Sequence, residues 1–164
     1  MATQLHSPQP LTMNLLPTLT LLAGLALALT WGGMTFFSAV MAPLVFTKLP
    51  IKTAGAFIRE VFPWYYAAMG LTTLLAVLLL LPGIGAGVGW PAALSMAALV
   101  GFVTARQVLM PKINQARDAE LAGDVAAGKR FKRLHGLSVL INGAQWLAIL
   151  IALWILIGLH PIEV

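Results

Sequence analysis

Polar side chains recur at helical spacing in the last apolar stretch of the chain. They are His135, Ser138, Asn142 and Gln145. Their positions, i, i+3, i+7 and i+10, place all four on one face of a helix. Because polar groups are costly when they face lipid, we expect this face to point into a helix bundle or an aqueous cavity. Two functions stay open for it: hydrogen bonding between helices, and binding of a ligand, an ion or a proton.

His135 carries the most versatile side chain of this group. An imidazole near a membrane boundary can titrate near neutral pH or ligate a metal ion or haem, so His135 is the only metal-ligand candidate. His6 and His160 are predicted on the opposite side of the membrane, which disfavours haem ligation by two histidines of one chain. Cysteine is absent, which excludes disulfides and thiolate metal sites. The sequence itself requires no cofactor.

A second polar face occurs in the first apolar stretch, with Gly32 and Gly33 beside it. Its members, at i, i+4, i+7 and i+11, are Trp31, Thr35, Ser38 and Ala42. Helix packing is one interpretation of this face. The other is that Trp31, Thr35 and Ser38 form part of the same ligand site. Pro43 is expected to kink this helix, and a kink at that depth can line a cavity.

Arg106 stands at the end of the third apolar stretch. There the helix dipole favours a cation, and a long side chain can reach the lipid headgroups. Glu60 is predicted on the same side of the membrane, so an ion pair with Arg106 is an alternative hypothesis. The sequence has no paired carboxylates, Ser-His-Asp arrangement or phosphate-binding glycine loop. We therefore predict no catalytic residue and favour a non-enzymatic role, with a membrane enzyme as an open alternative.

The elements that must position these residues follow from composition. The chain is 60% apolar and 9% charged, against about 25% charged residues in an average soluble domain. Residues 2–47, 61–105 and 134–162 contain no Lys, Arg, Asp or Glu. We predict one all-α membrane domain, residues 1–164, folded as a four-helix bundle. Its spans are predicted at about 15–40, 63–81, 91–110 and 134–159.

The basic residues set the predicted orientation. All ten Lys and Arg lie within 48–59 or 106–133. By the positive-inside rule, loops at about 44–60 and 111–133 are cytoplasmic, and both termini lie on the outer or periplasmic side. The location is then a cell membrane, the inner one in a bacterium. Anionic lipid headgroups are the expected partners, with no need for nucleic acid. Headgroup contacts are predicted for Lys129, Arg130, Lys132 and Arg133.

Local signals predict where the helices begin, end and touch. Pro43 and the pair Leu49-Pro50 mark the end of the first span, and Pro63 suits the first turn of the second. Asp124 is a plausible N-cap of the last helix. The N-terminus lacks a basic region before the first apolar stretch, so we expect no cleaved signal. Two stripes of small residues predict that spans three and four pack together. They are Ala93, Ala97 and Gly101, and Ala144, Ala148 and Ala152.

Short strings spread through the chain resemble a small family of four-span membrane proteins. The strings are Gly32-Gly33, Phe36-Phe37-Ser38, Ala42-Pro43, Leu49-Pro50, Ala54-Gly55, Phe62-Pro63, Tyr65-Tyr66, Pro111, Ile113-Asn114, Arg117-Asp118, Phe131, Arg133-Leu134-His135, Ser138 and Asn142. The family is the one that includes transmembrane protein 205, whose biochemical activity is not established. Its animal member is associated with tolerance of platinum drugs. The resemblance implies four spans and raises interest in the matching polar residues without giving them roles.

Four functions remain open at this point. The leading hypothesis is a non-catalytic bundle that binds a small ligand, a metal or a partner subunit in the cytoplasmic half of spans one and four. The second is a transporter or exporter component for a metal or an amphipathic drug. The third is a haem- or metal-containing membrane enzyme. The fourth is an accessory or assembly subunit of a larger membrane complex, and a homo-oligomer is also compatible with the sequence.

Overall fold

All four apolar stretches form helices. The computed structural model describes residues 11–159, with side chains from residue 15 onward, and this part of the chain contains helices and turns but no strand. The helices are α1 (Leu11–Phe36), α2 (Ala42–Lys48), α3 (Ile51–Leu80), α4 (Gly89–Thr104), α5 (Met110–Leu121) and α6 (Val125–Gly158). Two π-helical turns join α1 to α2 (Phe37–Met41) and α4 to α5 (Ala105–Leu109), and a 3-10 helix follows α3 (Leu81–Ala86).

These helices make up four spans that are long and apolar enough to cross a membrane. They are span 1 (Leu15–Lys48), span 2 (Ile51–Ala86), span 3 (Gly89–Leu121) and span 4 (Val125–Gly158). The all-α class predicted from the sequence is confirmed. The helices extend beyond the apolar stretches into the segments that contain charged residues. Residues in these segments, such as Ala54, Ile58 and Ala116, are buried against neighbouring helices, which stabilises the extensions.

The spans form an antiparallel ring. Span 1 contacts span 2, span 2 contacts span 3, span 3 contacts span 4, and span 4 returns to span 1. Short turns between consecutive spans bring all ten Lys and Arg to one end of the bundle, here named the basic end. The opposite end, around the 3-10 helix, is named the apolar end. The predicted packing of span 3 against span 4 is confirmed.

The contact between spans 3 and 4 uses only part of the predicted stripe of span 3. Ala93 and Ala97 are exposed, whereas Ala92 and Ala98 are buried. Adjacent residues differ by about 100° around a helix, so a shift of one residue selects another face. Gly101 does lie at the contact, because a Cβ atom there would come 2.7 Å from Nε2 of Gln145.

Pro43 does not end span 1 and Pro63 does not begin span 2, contrary to the predictions, whereas the pair Leu49-Pro50 does mark the end of span 1, as predicted. Span 1 passes Pro43 and ends at Lys48, before extended Leu49. Each π turn precedes a proline, Pro43 or Pro111, by two residues. A proline has no amide hydrogen and its ring crowds the carbonyl four residues earlier, which the wider π turn relieves. Pro63 lies inside α3, which is already helical from Ile51.

A tight turn connects α5 to α6. Gly123 has φ of 101°, a left-handed conformation that glycine adopts without strain. The amides of Gly123 and Asp124 bond back to Glu120 and Ala119, which is a Schellman ending of α5. The Asp124 carboxylate then accepts from the amides of Ala126 and Ala127. The predicted N-cap is confirmed.

Candidate binding cavity

A cavity of about 350 Å³ lies among all four spans on the side of the basic end. Its walls are mainly aromatic and aliphatic, with a few polar side chains and no charged one. Its lining residues are Phe37, Ser38, Ala42, Phe46, Ile58, Phe62, Tyr65, Tyr66, Met110, Ile113, His135, Ser138, Val139 and Asn142. The π turn of span 1 supplies Phe37 and Ser38 to this lining.

Two tyrosines of α3 form the back of the cavity. Tyr65 and Tyr66 are only 8% and 6% exposed, whereas their neighbour Trp64 is 78% exposed and faces outward. The Tyr65 hydroxyl donates to Oδ1 of Asn142 at 3.2 Å, and the Tyr66 hydroxyl shares a hydrogen bond with Ser138 at 3.3 Å. The predicted polar face of span 4 therefore finds its partners on span 2. Buried tyrosines need such partners.

Aromatic rings hold the back wall together. The Phe37 ring lies 4.6 Å from Tyr65, and the Phe62 ring stacks on Tyr66 at 5.6 Å between centroids. Such pairs contribute about 0.5–1.5 kcal/mol each beyond the area they bury. The aromatic contacts therefore join spans 1 and 2 along the back wall.

His135 lies at the rim. It is exposed and stacks on Phe131 with ring centroids 5.8 Å apart. The guanidinium of Arg117 lies 5.2 Å from the centre of the same Phe131 ring. Among the residues that the structure describes, no three His, Cys, Asp or Glu side chains come close enough together to hold a metal ion. His6 and His160 lie outside the described residues.

A closed layer lies next to the cavity on the side of the apolar end. The indole N–H of Trp146 donates to Oγ1 of Thr35 at 2.8 Å, and the ring centroids of Trp31 and Trp146 are 5.2 Å apart. Nε2 of Gln145 donates to the Ala98 carbonyl at 2.9 Å. Trp31, Thr35 and Gln145 therefore pack spans 1, 3 and 4 together and do not line the cavity.

The expected ion pair between Glu60 and Arg106 is not formed. Nε of Arg106 donates instead to the Pro63 carbonyl at 3.1 Å, and Glu60 is exposed. The adjacent residue on α3, Arg59, reaches span 3 and pairs with Asp118 at 2.8 Å. Neighbouring residues on a helix point about 100° apart, so only one of the two can face span 3.

The four basic residues predicted at the headgroups lie on the first turns of α6 and are exposed. Arg130 pairs with Asp124 at 3.5 Å. Lys129 and Lys132 border a second cavity together with Glu120 and Asp124. Charges of both signs therefore lie together at this edge of the bundle.

The structure thus divides the seven residues predicted to bind a ligand. Four of them line the cavity, namely Ser38, His135, Ser138 and Asn142. The other three, Trp31, Thr35 and Gln145, belong to the closed layer. Sequence reasoning missed Tyr65 and Tyr66, because they lie on a different span from the polar face that they contact. A signal that could have found them is the pair of tyrosine hydroxyls in a largely apolar span, because each hydroxyl needs a hydrogen-bond partner once it is buried.

The fold and cavity define a class: an all-α bundle of four helices that are long and apolar enough to cross a membrane, with a largely apolar cavity near the end that carries the charges. The chain belongs to the family described as "Domain of unknown function (DUF4149)", which matches residues 25–121. No curated protein and no solved structure matches the chain. The match gives no support for a relationship to transmembrane protein 205, and His135, Ser138 and Asn142 lie outside it.

Proposed function

We propose that this chain is a multi-pass membrane protein that binds one small, uncharged and largely apolar molecule in the cavity and does not catalyse its conversion. The proposal rests on the lining of the cavity, which combines apolar walls with a few polar side chains. This combination is typical of ligand sites. The volume of about 350 Å³ falls at the small end of the usual range of about 300–1,000 Å³.

The hydrogen-bonding groups of the cavity indicate what the molecule carries. Asn142 uses its side-chain oxygen on the Tyr65 hydroxyl, which leaves two amide N–H groups as donors. Ser138 and Tyr66 share one hydrogen bond and retain acceptor capacity. A ligand with a hydroxyl or carbonyl oxygen matches these groups. A charged ligand would lose its hydration without gaining an opposite charge, since no Lys, Arg, Asp or Glu lines the cavity.

A cavity-filling variant tests the proposal. In Ala42→Phe, a ring on the half-buried wall of span 1 occupies the cavity, whereas Ala39→Phe adds the same ring at an exposed position outside it. We expect native mass spectrometry after gentle purification to find a bound small molecule in the unaltered protein and in Ala39→Phe, and to find it lost in Ala42→Phe. Equal ligand content in all three proteins would contradict binding in this cavity.

Removal of polar groups provides a second test. We expect His135→Ala combined with Asn142→Ala to release the molecule while the helical circular dichroism signal stays unchanged. If ligand content and cellular phenotype also stay unchanged, these residues serve packing alone. Metal analysis and an absorption spectrum of the same sample test the haem or metal alternative. A stoichiometric partner protein after solubilisation would favour an accessory subunit.

The proposal also includes the orientation of the bundle in the membrane. We place the basic end in the cytoplasm, with both termini on the outer side of a cell membrane, because all ten Lys and Arg lie at that end. Changing Lys129, Arg130, Lys132 and Arg133 to Glu tests this orientation. Unchanged labelling of the loops from each side of the membrane would show that these four charges do not determine it.

Transport is the second candidate, favoured by the two π turns. They interrupt spans 1 and 3, and cavity-lining residues lie in or just after them. Interruptions of this kind are frequent at functional sites and allow a helix to bend. Single cysteines at positions 135, 138 and 142 report access, since no native cysteine interferes. Failure of a water-soluble thiol reagent to reach them from either side would argue against a transport path.

A further inference from the structure

The mouth of the cavity lies between spans 1 and 4. The lining residues of these two spans include exposed side chains, namely Ser38 and Phe46 on one edge and His135 and Val139 on the other. The tyrosines of α3 lie buried behind them. On the far side, spans 2 and 3 are joined by the bonds of Arg59 to Asp118 and of Arg106 to Pro63. The cavity therefore opens sideways.

The surface around this mouth is apolar. Val139 is 59% exposed and its neighbour Leu140 is 70% exposed. On span 1, Val40, Leu44 and Phe46 are also exposed. An exposed apolar surface on a helix that can cross a membrane is one that lipid chains cover. A molecule at the mouth consequently meets the bilayer before it meets water.

The depth of the mouth supports the same conclusion. Arg133, on the first turns of α6, is exposed and belongs at the headgroups. Ser138 and Asn142 follow five and nine residues later, which at about 1.5 Å per residue is about 8 Å and about 14 Å along the helix. The hydrocarbon core is about 30 Å thick. The polar groups of the cavity thus lie within one leaflet, below the level of the charges.

We infer that the cavity takes its ligand sideways out of the bilayer, between spans 1 and 4, and that this ligand is a single-chain lipid with an uncharged hydrogen-bonding end. This inference rests on the proposed function and adds the source and class of the ligand. The chain of the lipid lies along the aromatic and aliphatic walls. Its hydroxyl, amide or ester group bonds Asn142, Ser138 or the tyrosine hydroxyls.

Photolabelling in a bilayer tests the inference. The full chain is reconstituted into phosphatidylcholine vesicles that contain a hexadecanol analogue with a diazirine on its chain. Val139→Trp narrows the mouth, and Leu140→Trp adds the same ring one residue away, outside the lining. Both positions are exposed, so neither variant disturbs the core. We expect labelling of Tyr65, Tyr66 and Asn142 to fall about tenfold in Val139→Trp, a loss of about 1.4 kcal/mol, and to be unchanged in Leu140→Trp.

Several results would overturn the inference. One is equal labelling of the lining in both variants, which would mean that the probe does not pass this mouth. Labelling confined to outward residues such as Leu140 would mean that no single-chain lipid occupies the cavity. Stronger labelling by the corresponding hexadecanoic acid analogue would overturn the uncharged end group. Val139→Phe serves as a milder second variant, for which we expect an intermediate decrease.

The failure of this inference differs from the failure of the proposed function. If Ala42→Phe removes a bound molecule but the hexadecanol probe never labels the lining, the cavity binds a ligand that does not come from the bilayer. If neither Ala42→Phe nor Val139→Trp changes any bound molecule or labelling, the cavity is not a binding site. The first result rejects lateral access alone, and the second rejects both.

Discussion

The apolar end and the basic end of the bundle are built from the same four spans but are packed in opposite ways. At the apolar end, small residues such as Ala23, Ala76 and Ala152 are completely buried, and the helices lie close together around them. Toward the basic end, the rings of Phe62 and Tyr65 pack edge to face and line the cavity. One half of this bundle is therefore closed, whereas the other contains a cavity lined by aromatic rings.

The largest expected effect is a difference in the free energy of unfolding between one substitution at the apolar end and one beside the cavity. Leu80 is fully buried at the apolar end, whereas Phe46 borders the mouth of the cavity and is exposed. We expect Leu80→Ala to lower the free energy of unfolding by about 2–5 kcal/mol, because it leaves a hole in a close-packed region. Phe46→Ala should cost less than about 1 kcal/mol. Unfolding by SDS in mixed micelles measures both, and similar losses would mean that the two halves are packed alike.

A substitution at Gly101 tests the closed layer next to the cavity. A Cβ atom at this position would come 2.7 Å from Nε2 of Gln145, which must then move and lose its bond to Ala98. We expect Gly101→Ala to lower the free energy of unfolding by about 1–3 kcal/mol. The double variant with Gln145→Ala should recover part of that loss, since the obstructing side chain is gone. Strictly additive losses in the same unfolding assay would argue against this contact.

At the basic end, the start of α6 depends on one carboxylate. Asp124 accepts from the amides of Ala126 and Ala127, so we expect Asp124→Ala to destabilise the protein by about 1 kcal/mol. Asp124→Asn keeps an accepting oxygen and should lose much less. Thermal unfolding followed by circular dichroism gives both values. Equal destabilisation by the two substitutions would point to the charge, including its ion pair with Arg130, as the stabilising feature.

The smallest expected effect on stability is that of Tyr65→Phe, which distinguishes a role in helix packing from a role in ligand binding. Tyr65→Phe removes the hydroxyl that donates to Asn142 and leaves the ring in place. Hydrogen bonds between membrane helices contribute about 0.6 kcal/mol on average, so the unfolding free energy should fall by only about that amount. Retention of the bound molecule should fall more strongly. If stability falls while ligand content is unchanged, the hydroxyl serves packing only.

Much of the fold was predictable because it depends on composition and local chemistry. Long apolar runs without charge have few stable alternatives to a helix in lipid, since every backbone polar group must be paired within the segment. The cap at Asp124 was likewise predictable from neighbouring residues. Pro43 and Pro63 were misjudged, because packing of Val45, Ala54 and Ile58 keeps the chain helical on both sides of them.

The candidate site was only half predictable. Helical spacing correctly grouped His135, Ser138 and Asn142, because residues on one helix face share a direction whatever lies opposite. Spacing extended the same face to Gln145, which instead packs against span 3. The tyrosines that complete the site lie on another span, more than seventy residues away. No local pattern links such distant residues.

By itself, the sequence determined that this is an all-α protein with four helices able to cross a membrane and with its charges gathered at one end, because hydropathy and charge act locally along the chain. Only the tertiary structure decided which faces meet, that Trp31 and Thr35 close a layer beside Trp146, and that Tyr65 and Tyr66 turn inward. The physical reason is that, in lipid, close packing and hydrogen bonding select the helix contacts, and both depend on the shapes of side chains brought together from distant positions.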